Sequence, residues 1–112
     1  MSDCIFCKIA RGELPCRQAY EDEDLMVFHD IHPMARVHLL IIPRLHIESL
    51  AHCGPEHEKI LSKMLLLAPK LAREHGLESG FRTLINTGRG GGQEVFHIHI
   101  HVFGGGEPAP RN

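Results

Sequence analysis

Between positions 97 and 103 the chain reads His-Ile-His-Ile-His-Val-Phe. Strict alternation has a period of two, which suits an extended strand and not a helix. Alternate side chains of a strand share a face, with Cα atoms about 6.6 Å apart. His97, His99 and His101 therefore stand in a row, while Phe96, Ile98 and Ile100 feed the opposite, core-facing side. Any fold for this chain must cover one face of that strand and find a use for three imidazoles on the other. Three uses are open. A wet polar face is one, although Thr, Ser or Lys would serve it equally well. Imidazoles at this spacing can also ligate zinc on a sheet. Finally, an imidazole titrates near neutrality and can react with a substrate.

The other segments predict what surrounds that strand. Residues 4–10 form a turn of helix, ended by Arg11-Gly12 and Pro15. Short strands are predicted at 17–20 and 25–29, around the acidic turn 21–24. Residues 37–42 make a strand stopped by Pro43, with His38, Leu40 and Ile42 on one face. The main helix begins near Gly54-Pro55-Glu56, where proline and acidic residues suit a helix start, and stops at Gly76. Pro69 lies inside it and is predicted to kink or split it. A strand over 81–86, a flexible loop over 88–93 and the histidine strand over 95–103 follow, with a proline-containing tail at 107–112. The sum is an α+β fold: a five-stranded antiparallel sheet, one main helix on one face and a short N-terminal helix.

At 112 residues the chain is expected to be one domain, spanning 1–112. A net charge of −2 disfavours a nucleic-acid or anionic-membrane partner. No apolar run is long enough to span a bilayer. The opening MSDCIFCKIARGELP lacks the basic start and apolar run of a signal peptide, so a cytoplasmic location is expected. In such a compartment the four cysteines are read as thiols, for metal binding or packing. Cys4-x-x-Cys7 has the spacing of two ligands to one zinc ion, or is a pair of small buried residues. The run Asn86 to Gln93 has four glycines that let backbone N–H groups approach an anion, or it is simply a hairpin connection. It is not a Walker A loop, because no Gly-Lys-Ser/Thr follows.

Taken together these stretches resemble the histidine triad superfamily. HIHIHVF at 97–103 fits its signature at every position, with CIFCKI at 4–9, FHDIHP at 28–33, HLLIIPRLHI at 38–47 and NTGRGGGQEVFHIHIHVFGG at 86–105 in support. The compact domain and the Gly-Gly after the triad point to the Hint-like, nucleotide-binding branch. The resemblance implies a purine nucleotide-binding hydrolase that cleaves nucleoside phosphoramidates through a nucleotidyl-histidine. By motif position His99 is the nucleophile and His101 binds phosphate oxygens; Asp30 holds the ribose. Phe6, Ile9, Phe28, Ile31 and Leu40 line the base and ribose pocket, and Asn86, Gly92, Gln93 and Val95 contact ribose or phosphate. The resemblance further implies a structural zinc on Cys4, Cys7, His46 and His97, no cofactor for catalysis, and a homodimer that extends the sheet. Behind these residues, His38 lies on a strand face that looks towards the triad. Glu94 stands where many relatives carry a serine that donates a proton to the leaving amine. That departure keeps two alternatives in view: a non-catalytic nucleotide-binding or interaction protein of the same fold, or a hydrolase of dinucleoside polyphosphates.

Overall fold

The computed structural model describes residues 4–106. The elements are helix α1 (Ile5–Ala10), strands β1 (Gln18–Glu21), β2 (Leu25–His29) and β3 (Val37–Pro43), helix α2 (Glu58–Glu74), and strands β4 (Arg82–Leu84) and β5 (Ile100–Gly104). The strands form one sheet in the order β1-β2-β3-β5-β4, every pair antiparallel. This is the α+β architecture expected from the patterning.

Two apolar layers sandwich the sheet. On one face Leu25, Val27, Leu39, Ile41, Ile100 and Val102 pack against Met64, Leu67, Ala68, Leu71 and Ala72 of α2. On the other face Met26, Phe28, Leu40 and Ile42 meet Phe6 and Ile9 of α1. The period-two alternation of β2 and β3 makes both layers possible, since each strand feeds both faces. The register across the sheet pairs Phe28 with Leu40, Leu40 with His101, and His101 with Leu84. That row crosses four strands and sets the floor of the site described below.

α1 is capped by Cys4, whose Sγ accepts the Cys7 backbone N–H at 3.4 Å. α2 starts after a 3-10 turn at Pro55–His57, with the Gly54 N–H donating to His57 Nδ1 at 3.0 Å. It ends at Gly76, whose φ of +79° allows the Leu77 N–H to reach back to the Ala72 carbonyl at 2.8 Å.

Three expectations need correction. Pro69 does not split α2, which is continuous from Glu58 to Glu74. Proline deprives the Leu65 carbonyl of its helical donor, but Leu65 is half exposed, so water can satisfy it. The last strand does not start at Val95: it begins at Ile100. Upstream the chain bends over 95–97, and the Ile98 N–H bonds to the Ile47 carbonyl at 2.7 Å, outside the sheet ladder. Phe96 consequently does not enter the core and is 36% exposed, whereas Ile98 and Ile100 are buried. β4 is also shorter than expected; all three of its residues are exposed. The expected tail at 107–112 lies outside the described residues.

Candidate functional site

A cleft of about 490 Å³ opens on the α1 side of the sheet. The row Phe28, Leu40, His101 and Leu84 lies along it, and Phe6 and Ile9 of α1 form a wall. Phe6 packs edge-on to Phe28, with ring centroids 5.3 Å apart. These apolar side chains give a surface suited to a planar ring. Asp30, Asn86, Gly92, Glu94, His38, His99 and His101 line the same cleft. Val95 lines the cleft as well, and Ile31 sits at its rim, 85% exposed.

Gln93 is the exception among the residues expected here. It is buried and absent from the cleft wall. Its Oε1 accepts the Gly88 N–H at 2.8 Å, and its Nε2 donates to the carbonyls of Glu48 (2.8 Å) and Val95 (3.0 Å). The side chain ties the glycine loop into a ring. Gly92, at φ +85°, closes that ring in a conformation that disfavours any side chain. Glu94 is exposed on the cleft wall, and among the described residues no ion pair joins it to Arg89. The cleft also includes Ile5, Pro15, Cys16, Arg17, His29, His32 and Met34, none of which was expected to line it. Only the nearness of His29 and His32 to Asp30 was a sequence signal.

The three triad histidines do not hold equivalent imidazoles. His99 Nδ1 lies 2.8 Å from the His97 carbonyl, so it must donate. That leaves the lone pair of His99 on Nε2. The tautomer of His101 is set through His38. The Met34 N–H donates to His38 Nδ1 at 3.0 Å, so the proton of neutral His38 is on Nε2. That nitrogen is 2.9 Å from His101 Nδ1, which must then accept. His101 therefore carries its proton on Nε2, and this atom is buried without a partner. It is a donor held in reserve for something that enters the cleft. Burial pushes His101 down to about 4, helped by nearby His99 and His38 and opposed by Asp30. Burial also lowers His38 and His99; Asp30 opposes both shifts, as does the bond to the His97 carbonyl for His99. All three are neutral at pH 7.

Asp30, His38 and His101 also bring one carboxylate and two ring nitrogens within 4.8 Å of one another. A metal on His38 Nε2 would have to displace the proton that the Met34 contact keeps there. The set is better matched to a hydrogen-bond relay than to a metal.

His97 belongs elsewhere. Its Nδ1 lies 3.4 Å from Cys4 Sγ, 3.6 Å from Cys7 Sγ and 3.3 Å from His46 Nδ1, and Cys7 Sγ is 3.3 Å from His46 Nδ1. Bonds of about 2.05 Å to nitrogen and 2.3 Å to sulfur give tetrahedron edges of about 3.4 Å (N–N) and 3.6 Å (S–N). These four distances lie close to the edges of a closed tetrahedral site, and all four donor atoms lie within 4.8 Å of one another. His97 Nε2 donates to the Pro43 carbonyl at 2.7 Å, which turns the Nδ1 lone pair towards the cysteines and fixes the ring as an outer partner does at metal sites. Burial, chiefly, pushes His97 down to about 4, against the Pro43 bond; burial also raises the Cys7 thiol.

Comparison with known proteins agrees with this geometry. The family model for the scavenger mRNA decapping enzyme C-terminal binding domain matches residues 3–110. Protein HitA of Neisseria gonorrhoeae is 57% identical over 93% of this chain and 97% of its own length. The chain belongs to the histidine triad superfamily. A second histidine triad relative, a purine nucleoside phosphoramidase of Escherichia coli, is 44% identical over 92% of this chain and 87% of its own. A HIT family hydrolase from Legionella pneumophila superposes with a TM-score of 0.91 at 45% identity, covering 94% of this chain and 95% of that one. A zinc-bound histidine triad protein from Mycobacterium smegmatis gives a TM-score of 0.79 at 38% identity, covering 90% and 73%. With such relatives this is a hydrolase of the histidine triad family. Among the described residues no helix is long and apolar enough to cross a membrane.

Proposed function

We propose that this chain cleaves nucleoside phosphoramidates, of the type in which AMP is joined to an amine, through a covalent nucleotidyl-His99 intermediate. The observation that carries this reading is the complementary protonation of the two cleft histidines: a lone pair on His99 Nε2 beside a proton on His101 Nε2. The base lies between Phe6, Phe28 and the aliphatic walls, and Asp30 takes the ribose hydroxyls. His99 Nε2 attacks the α-phosphorus and the P–N bond breaks, the amine leaving with a proton taken from solvent in the open cleft. His101 Nε2–H and the backbone of the loop closed by Gln93 stabilise the phosphoryl oxygens. The positive charge on His99 is stabilised by its bond to the His97 carbonyl. Water then attacks the phosphorus, releasing the nucleoside monophosphate and restoring His99. The reaction needs no cofactor.

The second cluster holds a structural zinc ion through Cys4, Cys7, His46 and His97. Two thiolates and two imidazoles suit this ion, and a site with four protein ligands has no open position for a substrate. Zinc bound there supplies a staple between α1 and the chain entering β5. We further read the protein as a cytoplasmic homodimer. β4 leaves its outer edge unpaired in the single chain, and a second copy pairing there continues the sheet. Leu65, Leu66 and Leu84 are exposed apolar residues available to such a contact.

Incubation with an adenosine phosphoramidate should release AMP, and acid-quenched mass spectrometry should trap the adduct on His99. His99→Ala should lower kcat by about 10⁴-fold or more while still binding AMP. Turnover that persists in His99→Ala sinks the proposal. AMP binding by calorimetry without any turnover of the wild type would support the non-catalytic alternative.

A further inference from the structure

We propose that the Cys4–Cys7–His46–His97 cluster, when it holds its metal, is a positioning device for the nucleophile and not only a staple of the fold. The inference rests on the phosphoramidase reading for the identity of the reaction, and on geometry for the coupling.

One residue belongs to both sites. The ring of His97 lies in the cluster, and its backbone carbonyl accepts the Nδ1–H of His99 at 2.8 Å. Where the ring is held, the carbonyl is held, and with it the direction of His99 Nε2. Phe6 makes a second link. It neighbours Cys7 on α1, packs edge-on against His97 (5.9 Å) and His99 (5.1 Å), and forms a wall of the cleft.

The chain around His99 is buried, but the strand ladder does not reach it. The β5 ladder begins at Ile100, paired with Ile41, so His99 lies just outside the sheet. Upstream, residues 95–98 are tied by Ile98 N–H to the Ile47 carbonyl, by Gln93 to the Val95 carbonyl and by His97 to the Pro43 carbonyl. The cluster is a further tie, and together with the Phe6 contacts it reaches across to α1. By contrast, the core between the sheet and α2 contains none of the cluster residues. Emptying the cluster therefore loosens His99 while that core stays packed. A nucleophile released from its aim slows the chemical step before it weakens binding.

The test removes the metal in two ways. The wild-type protein is titrated with dipicolinate at 25 °C, and His46→Ala is compared with His46→Cys, which keeps four ligands. Metal content, far-UV circular dichroism, AMP affinity, kcat and the imidazole N–H proton resonance of His99 are followed on the same samples. Expected in the stripped wild type and in His46→Ala are an unchanged circular dichroism spectrum, loss or exchange broadening of the His99 Nδ1–H signal, and a kcat lower by about tenfold to 100-fold. AMP affinity should move by less than about threefold, since the phosphate and base contacts remain. His46→Cys should recover both metal and kcat. The proposal is overturned if the metal-free protein keeps kcat and the His99 signal, or if metal, circular dichroism and activity are lost together in one transition. Should His46→Ala not fold, the chelator titration decides alone. If the intact protein binds AMP but turns over no phosphoramidate, the proposed function fails; the His99 resonance then still decides the coupling.

Discussion

His97 and His101 occupy the two ends of one alternating motif, and burial pushes both down to about 4. Their protons nevertheless sit on the same ring atom for opposite purposes. His97 spends Nε2–H on the Pro43 carbonyl and turns the Nδ1 lone pair to two cysteines. His101 spends Nδ1 on His38 and leaves Nε2–H free in the cleft. The difference does not lie in the residue or in the direction of its pKa shift. It lies in which nitrogen a neighbour has already taken. A histidine's chemistry is assigned by its hydrogen-bond partners.

Truncating each end is the strongest way to break that comparison. His101→Ala removes the only donor His38 supports and should lower kcat by about 10²- to 10³-fold, as loss of one preorganised donor does. Metal content and thermal midpoint should barely change. His97→Ala should do the reverse to the metal, abolishing stoichiometric zinc and lowering stability by several kcal/mol, as removal of one ligand from a closed site does. Metal analysis beside calorimetric melting checks both. A His101→Ala protein that loses zinc, or a His97→Ala protein that retains it, would show that the two ends are one site.

Acid titration sharpens the comparison by probing what the two histidines share. A buried neutral imidazole takes up its proton less readily folded than unfolded. Between pH 6.5 and about 4 the unfolded chain therefore binds more protons, and stability falls as pH falls through that window. With chelator present throughout, so that metal loss adds nothing, each of the two histidines contributes at most about 3 kcal/mol. His101→Gln should remove close to half of their combined pH dependence in denaturant midpoints. An unchanged slope would mean that His101 is not a buried neutral imidazole.

How much of this was legible beforehand divides along the same line. The central strand β3 and the main helix α2 follow from periodicity, because each is apolar at its own repeat, and turn residues mark α1, β1 and β2. His38, Leu40 and Ile42 share a face as the alternation requires, and Cys4, Cys7, His46 and His97 do converge. Periodicity failed where backbone bonds outside the ladder overrode it. The Ile98–Ile47 bond takes residues 95–99 out of the strand and exposes Phe96. Matching residues to a motif located Gln93 at the loop, yet its three backbone partners could be known only once Glu48 and Gly88 were placed beside it. The tautomers of His38 and His101 were equally out of reach, since they depend on a single backbone N–H of Met34, a residue with no pattern of its own.

The smallest expected effect concerns Glu94, which lies at neither end of the motif but on the cleft wall they share. It is exposed, so its carboxyl group stays open to solvent beside any leaving group in the cleft. A carboxylate at that place can attract a leaving group that is itself cationic, by about 1 kcal/mol or less at an exposed site. Glu94→Gln should then lower kcat/KM for a phosphoramidate of a diamine by about threefold to fivefold and leave that of a neutral alkyl amine within about twofold. Raising the salt concentration should shrink the difference in the wild type, because exposed charges are screened. Equal losses for both substrates, insensitive to salt, would instead make Glu94 the proton donor to the leaving amine.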